Sequence, residues 1–167
     1  MNDELTAVDI KKMQEEIDYR TRVLRPQLIE EVKIARGFGD LSENFEYKAA
    51  KQEKNRNDSR IRYLQRMIAS ARVIEVREQD GVVGLFSKVE ILAEGDAEPQ
   101  KIQIVTTLRQ NPLEGLISKE SPMGKALLGH RAGDRVRVVV SEDFSYEVEI
   151  LSIEKGEDDA SLEISRY

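Results

Sequence analysis

Two apolar stripes at helical spacing, separated by a link long enough only for a reversal, constrain this chain more than any other feature. Ile10, Met13, Ile17, Leu24, Leu28, Val32 and Ala35 recur at intervals of three, four and seven, which marks one face of a long helix. Thr6 is the expected N-cap, with Asp9 three residues on in a weaker form of the capping box. The stripe has a gap at Arg20. Pro26 lies inside it, where the missing N–H predicts a kink. Gly37 and Gly39 end this helix. A second stripe runs through Ala50, Ile61, Leu64, Met67 or Ile68, Ala71 and Ile74, with Asn57 at a seam position where it can set register. This helix is expected to begin at Leu41 or Ser42. Ser42 would be its N-cap, and Glu43 and Glu46 would sit in a first turn that favours acids. Each helix is about 30 residues, or about 45 Å long, and the short link folds them into an antiparallel two-helix coiled coil.

The link Gly37-Phe38-Gly39-Asp40-Leu41-Ser42-Glu43-Asn44 thus falls at the end of a projecting rod. Two carboxylates there, Asp40 and Glu43, do little for a core and are well placed to be inserted into something else. On spacing alone the plainer reading is that Asp40 caps the turn and Glu43 complements the helix dipole, because acids at helix starts are common. Phe38 is expected to staple the turn. Tyr47 reads equally as hairpin packing or as a contact to another molecule.

From Val73 the apolar period changes to two. Val89 and Ile91, Ile102 and Ile104, then Val136, Val138 and Val140, then Tyr146, Val148 and Ile150 alternate with polar residues, as half-buried strands do. Glu94–Pro99 reads as a hairpin loop. Ser121-Pro122 opens a short helix that Gly129 closes. The expected organisation is α+β: a coiled-coil hairpin over residues 1–78, then a small, mostly antiparallel sheet domain over 79–167. Its last residues, 155–167, are polar and acidic and are expected to form a mobile tail. There is no internal repeat.

Composition narrows the function. The net charge of −6 is unevenly spread: residues 1–78 are nearly neutral and the acidity lies in 79–167. Within the first part, Lys48, Lys51, Lys54, Arg56, Arg60, Arg62, Arg66 and Arg72 face only Glu53 and Asp58 over residues 48–72. One basic helix in an acidic protein suits a polyanion partner met by a single face; a solvated helix neutralised by its neighbour is the plainer alternative. No cysteine is present and His130 is the only histidine, so disulfides and thiolate or His-rich metal sites are excluded. His130 is expected in a surface loop. No apolar run reaches spanning length and the start lacks a signal peptide's apolar core, so a cytoplasmic protein with no membrane partner is expected.

The sequence resembles the bacterial Gre transcript cleavage factors, on the GreA side of that family. The resemblance rests on Leu5-Thr6, Arg25-Pro26 with Ile29, Ala35-Arg36, the segment Gly39-Asp40-Leu41-Ser42-Glu43-Asn44, Glu46-Tyr47 and Ala49-Ala50-Lys51. It continues through Arg60-Ile61, Leu64, Ala71, Val73-Ile74, Ser121-Pro122, Ala126-Leu127-Leu128-Gly129 and Gly133-Asp134. It covers most of the chain, and its tip segment is highly specific. Phe45 departs from the small residue usual in the family, and Leu108–Glu114 departs from the family's acidic loop.

The resemblance implies a C-terminal domain similar to the FK506-binding fold. It also implies a factor that binds backtracked bacterial RNA polymerase through its secondary channel and stimulates cleavage of the extruded RNA 3′ end. The factor itself would be no enzyme. It would act as a monomer, because a single rod must enter the channel. Two-metal phosphodiester hydrolysis uses Mg²⁺ ions, hard cations that take oxygen ligands. Asp40 and Glu43 would therefore help to hold a Mg²⁺ shared with the polymerase, with no cofactor bound tightly by this chain alone. Lys48, Lys51, Lys54 and Arg56 would contact RNA phosphates without reading sequence, and Ser121 and Pro122 would dock on the polymerase. Three other readings compete. A non-cleaving paralogue would occupy the channel and inhibit. A prolyl isomerase would need an aromatic-lined pocket, which 5% aromatic residues and no Trp argue against. A coiled-coil scaffold would not depend on the tip acids.

Overall fold

The computed structural model describes residues 3–39, 44–77 and 79–166. The chain divides into two compact units: residues 10–71 with Asp3, and residues 4–9 with 72 onward. The sequence places the boundary at 78/79; the fold gathers the first strand and the start of the first helix into the C-terminal unit. Among the described residues no helix is long and apolar enough to cross a membrane.

In the first unit, α1 (Ala7–Tyr19, whose first turn belongs to the second unit), a five-residue π turn (Arg20–Leu24) and α2 (Arg25–Arg36) follow one another without a break. The π turn is where Pro26 makes itself felt. Pro26 has no N–H to give the preceding turn, and the Arg25 N–H reaches back to the Arg20 carbonyl, one residue further than α-helical spacing. α3 (Phe45–Ser70) returns against them. The partners descend along one helix as they ascend along the other: Ala35 with Asn44, Arg20 with Asn57, Glu16 with Arg60. That is an antiparallel hairpin, as expected. Leu28, Ala35, Ile61 and Leu64 are buried along its seam.

The seam is also polar. Asn57, buried, accepts from Arg20 Nη1 at 3.0 Å and donates to the Arg20 carbonyl at 3.2 Å. The gap at Arg20 and the Asn at the seam are thus one feature seen from two helices, and they pin register. Glu16 accepts from Arg20 Nε at 2.8 Å and from Arg60 Nε and Nη2 at 2.8 and 3.3 Å. Burial pushes the Glu16 carboxyl up, but the two guanidinium groups outweigh it and hold it below the usual carboxylate range.

In the second unit, β1 (Glu4–Leu5) pairs in parallel with β2 (Arg72–Val73), two strands too short to show any period. A five-stranded sheet follows: β3 (Lys88–Ala93), β4 (Gln100–Val105), β5 (Leu116–Ser118), β6 (Arg135–Val139) and β7 (Ser145–Glu154), in the order β5-β4-β3-β7-β6. All pairs are antiparallel except β4 with β5. α4 (Pro122–Leu127) lies against β6. Val89, Ile91, Ile102, Ile104, Val136, Val138, Val148 and Ile150 form the core with Val83 and Leu127, so the alternation reports the buried face correctly. Val140 does not join them. It lies one residue past β6, half exposed, where its N–H meets the Phe144 carbonyl in the hairpin turn.

The largest departure is at the C-terminus. Residues 155–166 are not a free tail. Arg109, with no exposed side-chain surface, pairs with Asp9 at 2.7 Å and with Asp158, and donates to the Asp159 carbonyl at 3.0 Å and to Thr6 Oγ1 at 3.2 Å. Its guanidinium also sits 4.7 Å from the centroid of Phe86, which holds a left-handed backbone (φ 68°). Gly156 passes so close to the Phe86 carbonyl that a Cβ would collide with it, Leu162 packs on the Phe86 cluster, and the Ser165 N–H meets the Leu108 carbonyl. A polar composition misled here because the segment binds through its backbone and one buried cation.

Two outcomes follow. Arg109→Met keeps the aliphatic stem but strands two carboxylates, and urea unfolding should show a loss of about 3–5 kcal/mol; an unshifted midpoint would mean the ion cluster does not hold the ends. Glu16 has a lowered native pKa, so its contribution is present above the ordinary glutamate value of about 4.3 and is lost as pH falls through the lower native value. The melting temperature followed by helical circular dichroism should therefore fall as pH drops below about 5, and Glu16→Gln should flatten that fall.

Candidate functional site

The hairpin's end is built around Asn44. Its Oδ1 accepts the Tyr47 N–H at 3.0 Å, capping α3, and its Nδ2 donates to the Ala35 carbonyl at 2.6 Å, near the end of α2. One amide thus satisfies an orphan donor of α3 and gives a second bond to a terminal carbonyl of α2, which also accepts the Phe38 N–H at 3.2 Å. The cap is Asn44 and the helix begins at Phe45, later than the Ser42 cap and the Leu41 start that the sequence suggests. Asn serves because a cap must accept, and holding both helix ends together requires a donor as well. Asp40 and Glu43, with Leu41 and Ser42, lie outside the described residues.

Cations and rings surround this lock. The Arg36 guanidinium lies 5.5 Å and the Lys51 ammonium 5.9 Å from the Tyr47 ring centroid. Arg36 Nη2 also donates to the Tyr47 hydroxyl at 3.4 Å, which with the nearby Lys51 charge draws that phenol below its ordinary pKa. Lys48 lies 5.6 Å from the Phe45 centroid. Phe38 does not staple the turn; it faces solvent.

The four bases expected to meet phosphates are not one stripe. Lys48 and Lys51 are turned to the rings. Lys54 binds Asp58 at 3.1 Å, and Asp58 also meets Arg25 at 3.2 Å, so Lys54 is drawn toward the opposite helix. Arg56 pairs with Glu53 at 2.7 Å, and two residues from Lys54 it lies on nearly the opposite side of α3. Arg36 was not singled out from the sequence; it stands one helix away from the basic run, and only the hairpin brings it in.

The second candidate surface is the start of α4. Ser121 Oγ accepts the Gly124 N–H at 3.0 Å and donates to the Ser118 carbonyl at 2.6 Å, with Pro122 in the first turn. Gly124 packs against that same carbonyl so closely that a Cβ would collide with it. Ser121 and Pro122 therefore set the shape of this corner whatever it meets. His130 is on the surface as expected. Its Nδ1 is 3.3 Å from Asp134, whose carboxyl is held below its usual range first by the Arg131 N–H and also by His130.

Comparison with known proteins gives this arrangement a family. A family model described as the N-terminal part of a transcription elongation factor, GreA/GreB, matches residues 4–73, and one for the GreA/GreB C-terminal part matches residues 78–155. The transcription elongation factor GreA of Oenococcus oeni is 40% identical over 153 residues, 91% of this chain and 94% of that protein. That of Geobacillus kaustophilus is 45% identical over 135 residues, 80% of this chain and 85% of that protein. The crystal structure of GreA factor homolog 1 of Thermus thermophilus is 29% identical, covers 93% of this chain and all of its own, and has a TM-score of 0.42. The chain belongs to the GreA/GreB family of transcription elongation factors.

The lock is testable. Asn44→Ala should cost about 1 kcal/mol in thermal unfolding, and hydrogen exchange at Tyr47 should quicken. Asn44→Asp keeps the acceptor but loses the donor to Ala35, so it should restore protection at Tyr47 without restoring full stability.

Proposed function

We propose that this chain binds backtracked bacterial RNA polymerase, reaches its active site through the secondary channel with the hairpin, and stimulates the polymerase's own cleavage of the RNA 3′ end. The observation that carries this reading is the lock at Asn44. It ties the start of α3 to the end of α2, the two ends between which Asp40 and Glu43 fall in the sequence, and Arg36, Lys48 and Lys51 stand beside it. The likeness to curated GreA proteins over most of the chain supports it.

Asp40 and Glu43 are hard oxygen donors, which suits Mg²⁺, and two carboxylates are too few to hold that ion alone. The ion would be held mainly by the polymerase, where it supplies an activated water. The part of this chain is to bring two acceptors to that ion and its water, so the chain by itself cuts no RNA. Lys48 and Lys51 take phosphates of the extruded strand, while Lys54 and Arg56 would first have to give up Asp58 and Glu53. Ser121 and Pro122 present the α4 corner to the polymerase.

The test is cleavage of labelled RNA in backtracked polymerase complexes with Mg²⁺. Wild type should shorten the RNA from its 3′ end. Asp40→Asn/Glu43→Gln should bind within a few-fold of wild type and cleave on the order of 100-fold more slowly. Binding by wild type without cleavage would instead identify an inhibitory paralogue, and no binding would remove the polymerase as partner.

A further inference from the structure

Two of the chain's four phenylalanines stand in solvent at the hairpin's end: Phe45 is 80% exposed and Phe38 is 68% exposed. Burying such a ring is among the larger single gains open to a fold, and neither ring is used that way. The backbone at both is fixed by hydrogen bonds to the Ala35 carbonyl, from Asn44 and from the Phe38 N–H. Phe45 opens α3 directly after Asn44, whose bond to the Ala35 carbonyl fixes that opening near the end of α2, and Phe38 lies two residues beyond α2. The Lys48 ammonium lies 5.6 Å from the Phe45 centroid, and Arg36 and Lys51 stand over the neighbouring Tyr47 ring.

Exposed π faces bordered by cations are complementary to one class of polymer. An unpaired nucleotide offers a flat base to the ring and a phosphate to the cation. A duplex hides its base faces, and a purely electrostatic RNA contact would need no phenylalanine. We propose that Phe45, with Phe38 just beyond the end of α2, is a stacking platform for an unpaired base of single-stranded RNA, with Lys48 and Lys51 taking the adjacent phosphates. Stacking of this kind tolerates any base, so the platform grips a strand without reading it. Its use during elongation rests on the function proposed above; its capacity to bind RNA does not.

The chain has no tryptophan, so Phe45→Trp introduces a single indole at the platform. Its emission would be titrated at low salt with a twelve-nucleotide oligouridylate and with an abasic phosphodiester of equal length, with anisotropy of the labelled strands followed in parallel. Quenching by the oligouridylate and not by the abasic strand is expected. Equal quenching by both, binding without quenching, or no binding up to millimolar strand would each overturn the platform. In backtracked polymerase complexes, Phe45→Ala and Phe45→Leu should raise the half-saturating concentration on the order of 10-fold. They should leave affinity for complexes without extruded RNA unchanged; a Phe45→Leu variant equal to wild type would also overturn the platform. If wild type shortens no RNA at all, the elongation reading fails, while the polymerase-free titration still decides the platform.

Discussion

One guanidinium holds the C-terminal unit together. Arg109 is sealed from water, and a buried charge is tolerated only where opposite charge and hydrogen-bond acceptors are brought to it. Here Asp9 and Asp158 supply the opposite charge, Thr6 Oγ1 and the Asp159 carbonyl accept its hydrogen bonds, and the Phe86 ring lies beneath it. The β1–β2 pair, the left-handed backbone at Phe86 and the course of residues 155–166 all depend on that centre. Asp9 serves twice: one oxygen closes the capping box with the Thr6 N–H at 3.0 Å, and the other meets Arg109. The first turn of α1 and the closure of the sheet domain are therefore joined through one carboxylate.

The hairpin follows a different rule. Its apolar stripe is interrupted by Glu16, Arg20, Asn57 and Arg60, which satisfy one another across the seam. Well-packed apolar residues would hold the helices at least as tightly, but an apolar seam can slide by a turn at little cost. A buried polar set matches its partners in one alignment. For the function proposed above, register is worth more than raw stability, because a slip of one helix past the other would part Asn44 from the Ala35 carbonyl.

Much of this was legible in the residues, and what was not has a physical pattern. The stripes from Ile10 to Ala35 and from Ala50 onward gave the hairpin, and the alternations at Val89–Ile91 and Val136–Val138 gave the buried face of the sheet, because both signals are local and periodic. Thr6 with Asp9 and Ser121 with Pro122 gave their caps for the same reason. Asn44 was missed as the cap because Ser42 satisfies the local rule equally well; the deciding bond runs to Ala35, on the other helix. Arg109 was invisible, since its partner Thr6 is 103 positions away and no local pattern marks a cation destined for burial. The course of residues 155–166 is hidden for the same reason: polarity alone implies solvation, whereas the Asp158 carboxylate and the Asp159 carbonyl are partners of Arg109. At the hairpin's end the basic run was legible, but its division into ring-bound Lys48 and Lys51 and ion-paired Lys54 and Arg56 required the helix faces themselves.

Residues 4–9 cluster with the C-terminal unit while residues 10–71 form the other. The hairpin is thus an insertion: the chain leaves the sheet domain after its first few residues and re-enters it at β2. On the ribosome that order matters. Residues 4–9 are made well before their partners, Arg109 and the residues after 155, so these most distant contacts of the domain close only after the hairpin and the sheet strands have been synthesised. Until then the hairpin can form from its own neighbours while its base stays open. A nascent chain that stalls before residue 155 would carry a finished hairpin while Arg109 still lacks Asp158 and the Asp159 carbonyl.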